Sequence, residues 1–251
     1  LEAVRAFAER ARSELEALAS AEGQMADLQR RKEALEAELA RLAAVLTEIR
    51  TRTGRLLSDR MARSLSGLGM KDVRFQVDVR PDGSGPSNPG RTGFDQVEFL
   101  IAPNPGEPMR PLQRIASGGE AARTMLALKT LLASADAIPL LIFDEVDSGV
   151  SGRTARAVAE RLSDTSRHHQ VLCVTHQAPI AAMADEQVLI EKLTDGGRTR
   201  TRLVPLEAEG RRREVARLLA GGEVGSVALE LADQMLADSR QYRTAAAAAS
   251  P

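Results

Sequence analysis

Leu140-Leu-Ile-Phe-Asp-Glu-Val-Asp-Ser-Gly-Val-Ser-Gly152 decides the fold of this chain. Its first four residues are continuously apolar rather than alternating, which predicts a strand of a parallel sheet covered on both faces. The run ends in two carboxylates, Asp144 and Glu145. Ligands of α/β folds gather at the carboxyl ends of parallel strands, so both acids fall where chemistry is expected. A carboxylate leaving a buried strand can hold Mg²⁺ through its waters, and its neighbour can orient or deprotonate an attacking water. The bland alternative is that the pair caps the loop and helix that follow.

Working outward, a helix is expected from about Arg153 to Leu162, then a second apolar strand, Val171-Leu-Cys-Val174, leading into Thr175-His176. A histidine at that edge could hydrogen-bond a terminal phosphate, although a lone histidine at a strand end is also a common structural residue. His168 and His169, in the preceding turn, read as solvated. Upstream, Ile115-Ala-Ser-Gly-Gly-Glu120 opens a helix expected from about Gly119 to Ala133. Ser117 suits the N-cap, and the two glycines leave backbone N–H groups open to an anion that the helix dipole favours. An isolated Ser-Gly-Gly turn would be a plain cap. The order gives it weight: anion-binding turn and helix, strand with Asp-Glu, helix, strand with histidine.

Further upstream, Leu28, Leu35, Leu42, Ile49 and Leu56 mark one heptad position, with Met25, Leu39 and Leu46 at the other. Lys32 and Thr53 interrupt a seam that otherwise predicts a coiled-coil strand. If residues 1–57 form one helix it spans about 85 Å at about 1.5 Å per residue. The alternative is a long helix packed on its own globular domain. Ser66-Gly-Leu-Gly69 breaks it, after which Val73, Phe75, Val77 and Val79 alternate with polar residues as a half-buried strand. A Pro- and Gly-rich loop over 81–90 and a strand carrying Val97, Phe99 and Ile101 complete an expected hairpin. Two more helices, near Glu214 to Leu219 and Val227 to Ala237, close the domain, with residues 245–251 expected to be disordered.

Among 251 residues, 43% are hydrophobic, enough for a real core. No apolar run approaches the roughly 18 residues of a membrane span, and no secretory leader is evident, so a cytoplasmic location is expected and no membrane partner. Three histidines and one cysteine give no zinc set and no disulfide framework, and Cys173 reads as a buried strand thiol. The net charge of −1 gives no global basic field, so any DNA contact must be local. Arg211-Arg-Arg213 and the arginines of the arm are the candidates, although charge runs are usually solvated faces.

The three segments resemble the signature motif, Walker B strand, D-loop and switch histidine of the ATP-binding-cassette superfamily. Within it, Arg114–Glu120, Ile142–Gly152 and Cys173-Val-Thr-His-Gln177 resemble the RecN family of bacterial SMC-like repair ATPases, over residues 1–240. The resemblance implies an α/β fold: the C-terminal lobe of an ABC/SMC-type ATPase head, with a mostly parallel sheet flanked by helices, a β-hairpin, and a long coiled-coil helix in front. It implies an arm over 1–65, the lobe over 66–240 and a disordered tail over 241–251. Asp144 would serve Mg²⁺, Glu145 would be the general base, and His176 would sense the γ-phosphate of ATP. Ser117, Gly118, Gly119 and Glu120 would face ATP held by a second head. Asp147 matches the second acid of SMC-type heads and falls with the nucleotide-contacting set. Ala116 stands where leucine is common, and Ser151 where the D-loop aspartate is usual, so that aspartate's role is not carried to it.

A P-loop needs Gly-Lys followed by Ser or Thr, yet none of the lysines, at 32, 71, 129 and 192, follows a glycine. The resemblance implies that the phosphate cradle sits in a separate N-terminal lobe carrying Walker A, and that the other partners are a second copy through ATP-sandwiched heads and nucleoid DNA held by an ATP-driven clamp during double-strand-break repair. A head lobe of SMC or Rad-fifty type is the close alternative. A transporter ATPase subunit is a third reading, against which stand the arm and Val146 where transporters place proline. A degenerate structural module would have lost Asp144, Glu145 or His176, and all three are present.

Overall fold

The computed structural model describes residues 2–81, 92–133, 135–195 and 198–248. The chain divides into two units, Leu1–Arg55 with Val77–Glu98, and Leu56–Gln76 with Phe99–Pro251. One helix, α1 (Glu2–Gly67), contributes to both. No described helix is long and apolar enough to cross a membrane.

In the first unit, Met25, Leu28, Leu35, Leu42 and Ile49 are exposed, a seam left open by the described residues. Leu39 and Leu46 are half-buried. Near them Thr47 Oγ1 donates to both carboxylate oxygens of Asp95, at 2.8 and 2.9 Å. Arg50 donates to the same carboxylate at 3.0 Å and to the Thr92 carbonyl at 2.7 Å. The helix is thus an unpartnered coil strand along its first part and packs on its own unit only toward its end. The loop read over 81–90 lies almost wholly outside the described residues.

In the second unit α1 ends in the core, with Met61, Leu65 and Leu68 buried. Gly69 takes φ 85°, and the Met70 amide donates back to the Leu65 carbonyl at 3.0 Å, which turns the chain out of the helix. Strands β1 (Arg74–Pro81) and β2 (Asp95–Ala102), whose residues divide between the two units, form one sheet with β3 (Arg110–Pro111) in that order, with β2 antiparallel to β3. Then follow α2 (Gly118–Leu132), β4 (Leu140–Phe143), α3 (Gly152–Ser166), β5 (Gln170–Cys173) and α4 (Ala178–Met183).

β4 and β5 pair in parallel, with Leu140 opposite Gln170 and Phe143 opposite Cys173, because α3 carries the chain back as a crossover. Among the described residues the parallel pairing is confined to these two strands. The expected cover on both faces is corrected here. Leu141 and Phe143 are buried, whereas Leu140, Ile142, Leu172 and Val174 are 44, 63, 54 and 48% exposed. The described helices that pack on this pair, α3 above all, cover one side.

A second antiparallel hairpin, β6 (Val188–Asp195) with β7 (Arg198–Pro205), was not legible as strands. Helices α5 (Ala208–Ala220) and α6 (Ser226–Ala248) enclose a small core of Ala178, Ala182, Val215, Ala216, Ala232 and Leu236. α6 runs past the expected start of a disordered tail at 241. Tyr242 Oη donates to Asp164 at 3.1 Å and Arg243 to the Met183 carbonyl at 2.7 Å, and the alanines that follow carry high helix propensity. Residues 249–251 of that expected tail lie outside the described residues.

Candidate active site

The parallel pair delivers its two motif-bearing ends to one edge. Asp144 and Glu145 leave β4 exposed, followed by buried Val146 and Asp147. Val146, fully buried, anchors the loop, and the Ser148 amide closes a turn on the Glu145 carbonyl at 2.9 Å. Glu145 holds φ 58°, the left-handed region, which costs a non-glycine residue about 1–3 kcal/mol. Ser151, in the position of the D-loop acid, begins α3 without a side-chain cap hydrogen bond.

The Ser117 turn reaches the same edge. Ser117 caps α2 by accepting from the Glu120 amide at 3.4 Å. Both glycines after it have a steric reason within this chain. A Cβ on Gly118 would collide with Oε2 of Glu145, and one on Gly119 would stand 3.0 Å from the Ser148 carbonyl oxygen and 3.2 Å from Nη1 of Arg123. The first turn of α2 is therefore packed directly under the loop that follows β4. Arg123, buried on α2, ties the two together by donating from Nη1 to the Ser148 carbonyl at 2.7 Å. Burial lowers its pKa, opposed by the charge of Glu120. Its Nε has no hydrogen-bond partner among the described residues.

A second tie joins the β4 and β5 ends. Asp147 is 3% exposed, and its Oδ2 accepts from Thr175 Oγ1 at 2.6 Å and from the His176 amide at 3.0 Å. Nδ1 of His176 lies 3.2 Å from the same oxygen, while the ring itself is largely exposed. The Gln177 amide donates to Thr175 Oγ1 at 3.0 Å, continuing the chain of bonds. Asp147 was read from the sequence only as a match; its burial and its donors emerge from the fold.

Asp144, exposed where β4 ends, offers a single free-standing carboxylate to a cation. Mg²⁺ keeps most of its waters and takes one or two carboxylates plus substrate phosphates. Among the described residues no three His, Cys, Asp or Glu converge on one point. An open cleft is lined by Ser117 and Glu120 of this turn together with Asn104, Glu107, Arg110 and Arg114 among others, and by none of Asp144, Glu145 or His176.

Three expectations are corrected. His169 is not solvated: it is 4% exposed, and its Nδ1 donates to the Ile138 carbonyl at 2.6 Å, whereas His168 is exposed as read. Arg211-Arg-Arg213 is not a free basic run. Arg211 donates to the Ala184 and Asp185 carbonyls, Arg212 grips Asp233 with two bonds at 2.8 and 3.0 Å, and Arg213 pairs with Glu209. Cys173 is only half-buried, yet burial, then the charges of Asp147 and Asp144, push its thiol up to about 12.

No protein-family model matches the chain. The DNA repair protein RecN of Treponema pallidum is 45% identical over 246 residues, covering 91% of this chain and 42% of that protein. The RecN of Streptomyces coelicolor is 41% identical over 84% of this chain and 38% of its own length. That of Bacillus subtilis is 34% identical over 95% and 43%. The chain thus spans about two-fifths of the curated relatives it matches. Among solved structures, the Smc head domain with a coiled coil and joint derived from Pyrococcus yayanosii superposes with TM-score 0.47 and 22% identity, over 75% of this chain and 35% of that one. An Smc head with an extended coiled coil derived from Pyrococcus furiosus gives 0.43 and 21%, over 76% and 47%.

Proposed function

The chain belongs to the RecN family over the stretch of those proteins that it spans, and from that premise we propose that it is half of an ATP-hydrolysing head in a coiled-coil DNA-repair ATPase. One observation carries the proposal. The α2 N-terminus, the Asp144–Ser148 loop and the Thr175–His176 segment converge on one edge of the β4–β5 pair and are bonded to one another there. The domain division that goes with it is an arm over 1–65 and a lobe over 66–240, with α6 continuing beyond it to Ala248.

Bound Mg²⁺ would offset phosphate charge from Asp144. Glu145, exposed beside it, takes the proton of the attacking water. His176 meets the terminal phosphate, and Ser117, Gly118, Gly119 and Glu120 present amides and a helix N-terminus to ATP held by a second head. In this chain the Glu145 carboxylate itself lies over Gly118. An anion arriving at that turn would have to displace it, so head engagement and the freeing of Glu145 become one event.

Two apolar surfaces support a missing half. The uncovered face of β4–β5, Leu140, Ile142, Leu172 and Val174, suits a further layer from an N-terminal lobe carrying the phosphate loop. The exposed heptad seam of α1 suits the outgoing strand of the same coil. Action on DNA double-strand breaks, ATP-driven pairing of two heads, and a nucleoid location belong to the same proposal.

The test is complementation. Isothermal titration of the chain alone with Mg-ATP is expected to give no binding tighter than about millimolar, some −4 kcal/mol. The complete protein is expected to turn over ATP. Tight binding by the chain alone, or no turnover by the complete protein, overturns the proposal.

A further inference from the structure

We infer that Asp147 is a positioning residue, which acts by holding the Thr175–His176 segment and the His176 ring rather than by touching nucleotide or metal. The inference rests on the ATPase reading of this edge and goes beyond it. Asp147 is buried, whereas Asp144 and Glu145 on the same loop are exposed. Its Oδ2 faces three donors from one short segment: the Thr175 hydroxyl, the His176 amide and Nδ1 of His176. A carboxylate only accepts, so the ring nitrogen facing it carries the proton. That sets the tautomer and leaves Nε2, 3.3 Å from the side-chain amide of Gln177, as the acceptor that can meet the water attacking a terminal phosphate. Thr175 is itself held, because its oxygen also accepts from the Gln177 amide. The turn after β5 is therefore shaped around one carboxylate supplied by the loop after β4. A change at either loop is transmitted to the histidine without passing through the substrate.

A purely architectural staple would share these bonds, so the test must separate the two roles. In the complete protein, Asp147→Asn keeps the shape and an acceptor for Thr175 but loses the charge facing Nδ1. It is expected to lower kcat by ~10- to 100-fold with KM for ATP nearly unchanged, the range typical of partners that orient a functional histidine. In a His176→Ala background the same change is expected to cost less than ~2-fold, since two residues acting as one unit are not additive. Thr175→Val is expected to lower kcat in the same way and Thr175→Ser to restore it. Equal losses in both backgrounds, a rise in KM without a fall in kcat, or no loss at all would overturn the inference while leaving the ATPase reading intact. Absence of turnover in the unsubstituted protein would remove both.

Discussion

The carboxylate of Glu145 lies across Gly118, the first residue of α2, in the space a Cβ would fill. One residue on, Gly119 faces the Ser148 carbonyl and Arg123 instead. The two glycines thus have different neighbours, a movable carboxylate end and a fixed backbone, and they should respond differently to the same change.

Gly118→Ala is expected to leave the denaturation midpoint almost unaltered, within about 1 kcal/mol, because the Glu145 side chain can swing aside and alanine favours the helix. Gly119→Ala is expected to destabilise by about 1–3 kcal/mol, because Ser148 backbone and the buried Arg123 cannot both give way. Equal midpoints for the two variants would contradict the packing of α2 under the loop.

Glu145→Gln in the complete protein should leave ATP binding in place and slow turnover by about 10²–10⁴. Glutamine makes the same demand on the left-handed backbone, so folding should hardly change. Single-turnover kinetics beside equilibrium nucleotide binding separates the two effects, and unchanged turnover removes Glu145 as the base.

Ser117→Arg places bulk and positive charge at the α2 N-terminus, where an anion should dock. ATP binding to the altered protein's own head is expected to survive while ATP-dependent dimerisation fails, as read by sedimentation with and without nucleotide. Loss of both together would place Ser117 in the fold or in the same-head site.

Cys173 gives a pH prediction. Its thiol is pushed from 9.0 up to about 12, chiefly by burial. At pH 8 only about one thiol in 10⁴ is then ionised, and alkylation by iodoacetamide should be far slower than for the denatured chain. Below pH 9 the thiol is protonated in both states and stability is unaffected. Above it the unfolded chain ionises first, so this group lowers stability as pH rises from about 9 toward 12. Cys173→Ser should flatten that fall, and rapid labelling at pH 8 would contradict the shift.

What the sequence determined by itself follows from rules that act over a few residues. The Leu140–Phe143 run became β4 at its expected residues, Ser117 caps α2, and Ser66–Gly69 ends α1, because a run of apolar side chains, a hydroxyl beside free amides and a left-handed glycine act over a few residues. The β6–β7 hairpin was missed although Gly196-Gly197 between two strand-like runs is a hairpin signal, for the arginines of β7 obscure its alternation. Tertiary structure alone decided which charged and polar groups stay free. The same residue type is exposed at Asp144 and buried at Asp147, and His168 and His169 differ likewise, because burial depends on what distant segments bring. Arg211 and Arg212 looked available until Ala184, Asp185 and Asp233 arrived beside them, whereas the pairing of Arg213 with Glu209, one turn back on α5, is local. Partners up to 29 residues apart join Asp147 to His176, and no pattern of neighbours along the chain carries that pairing.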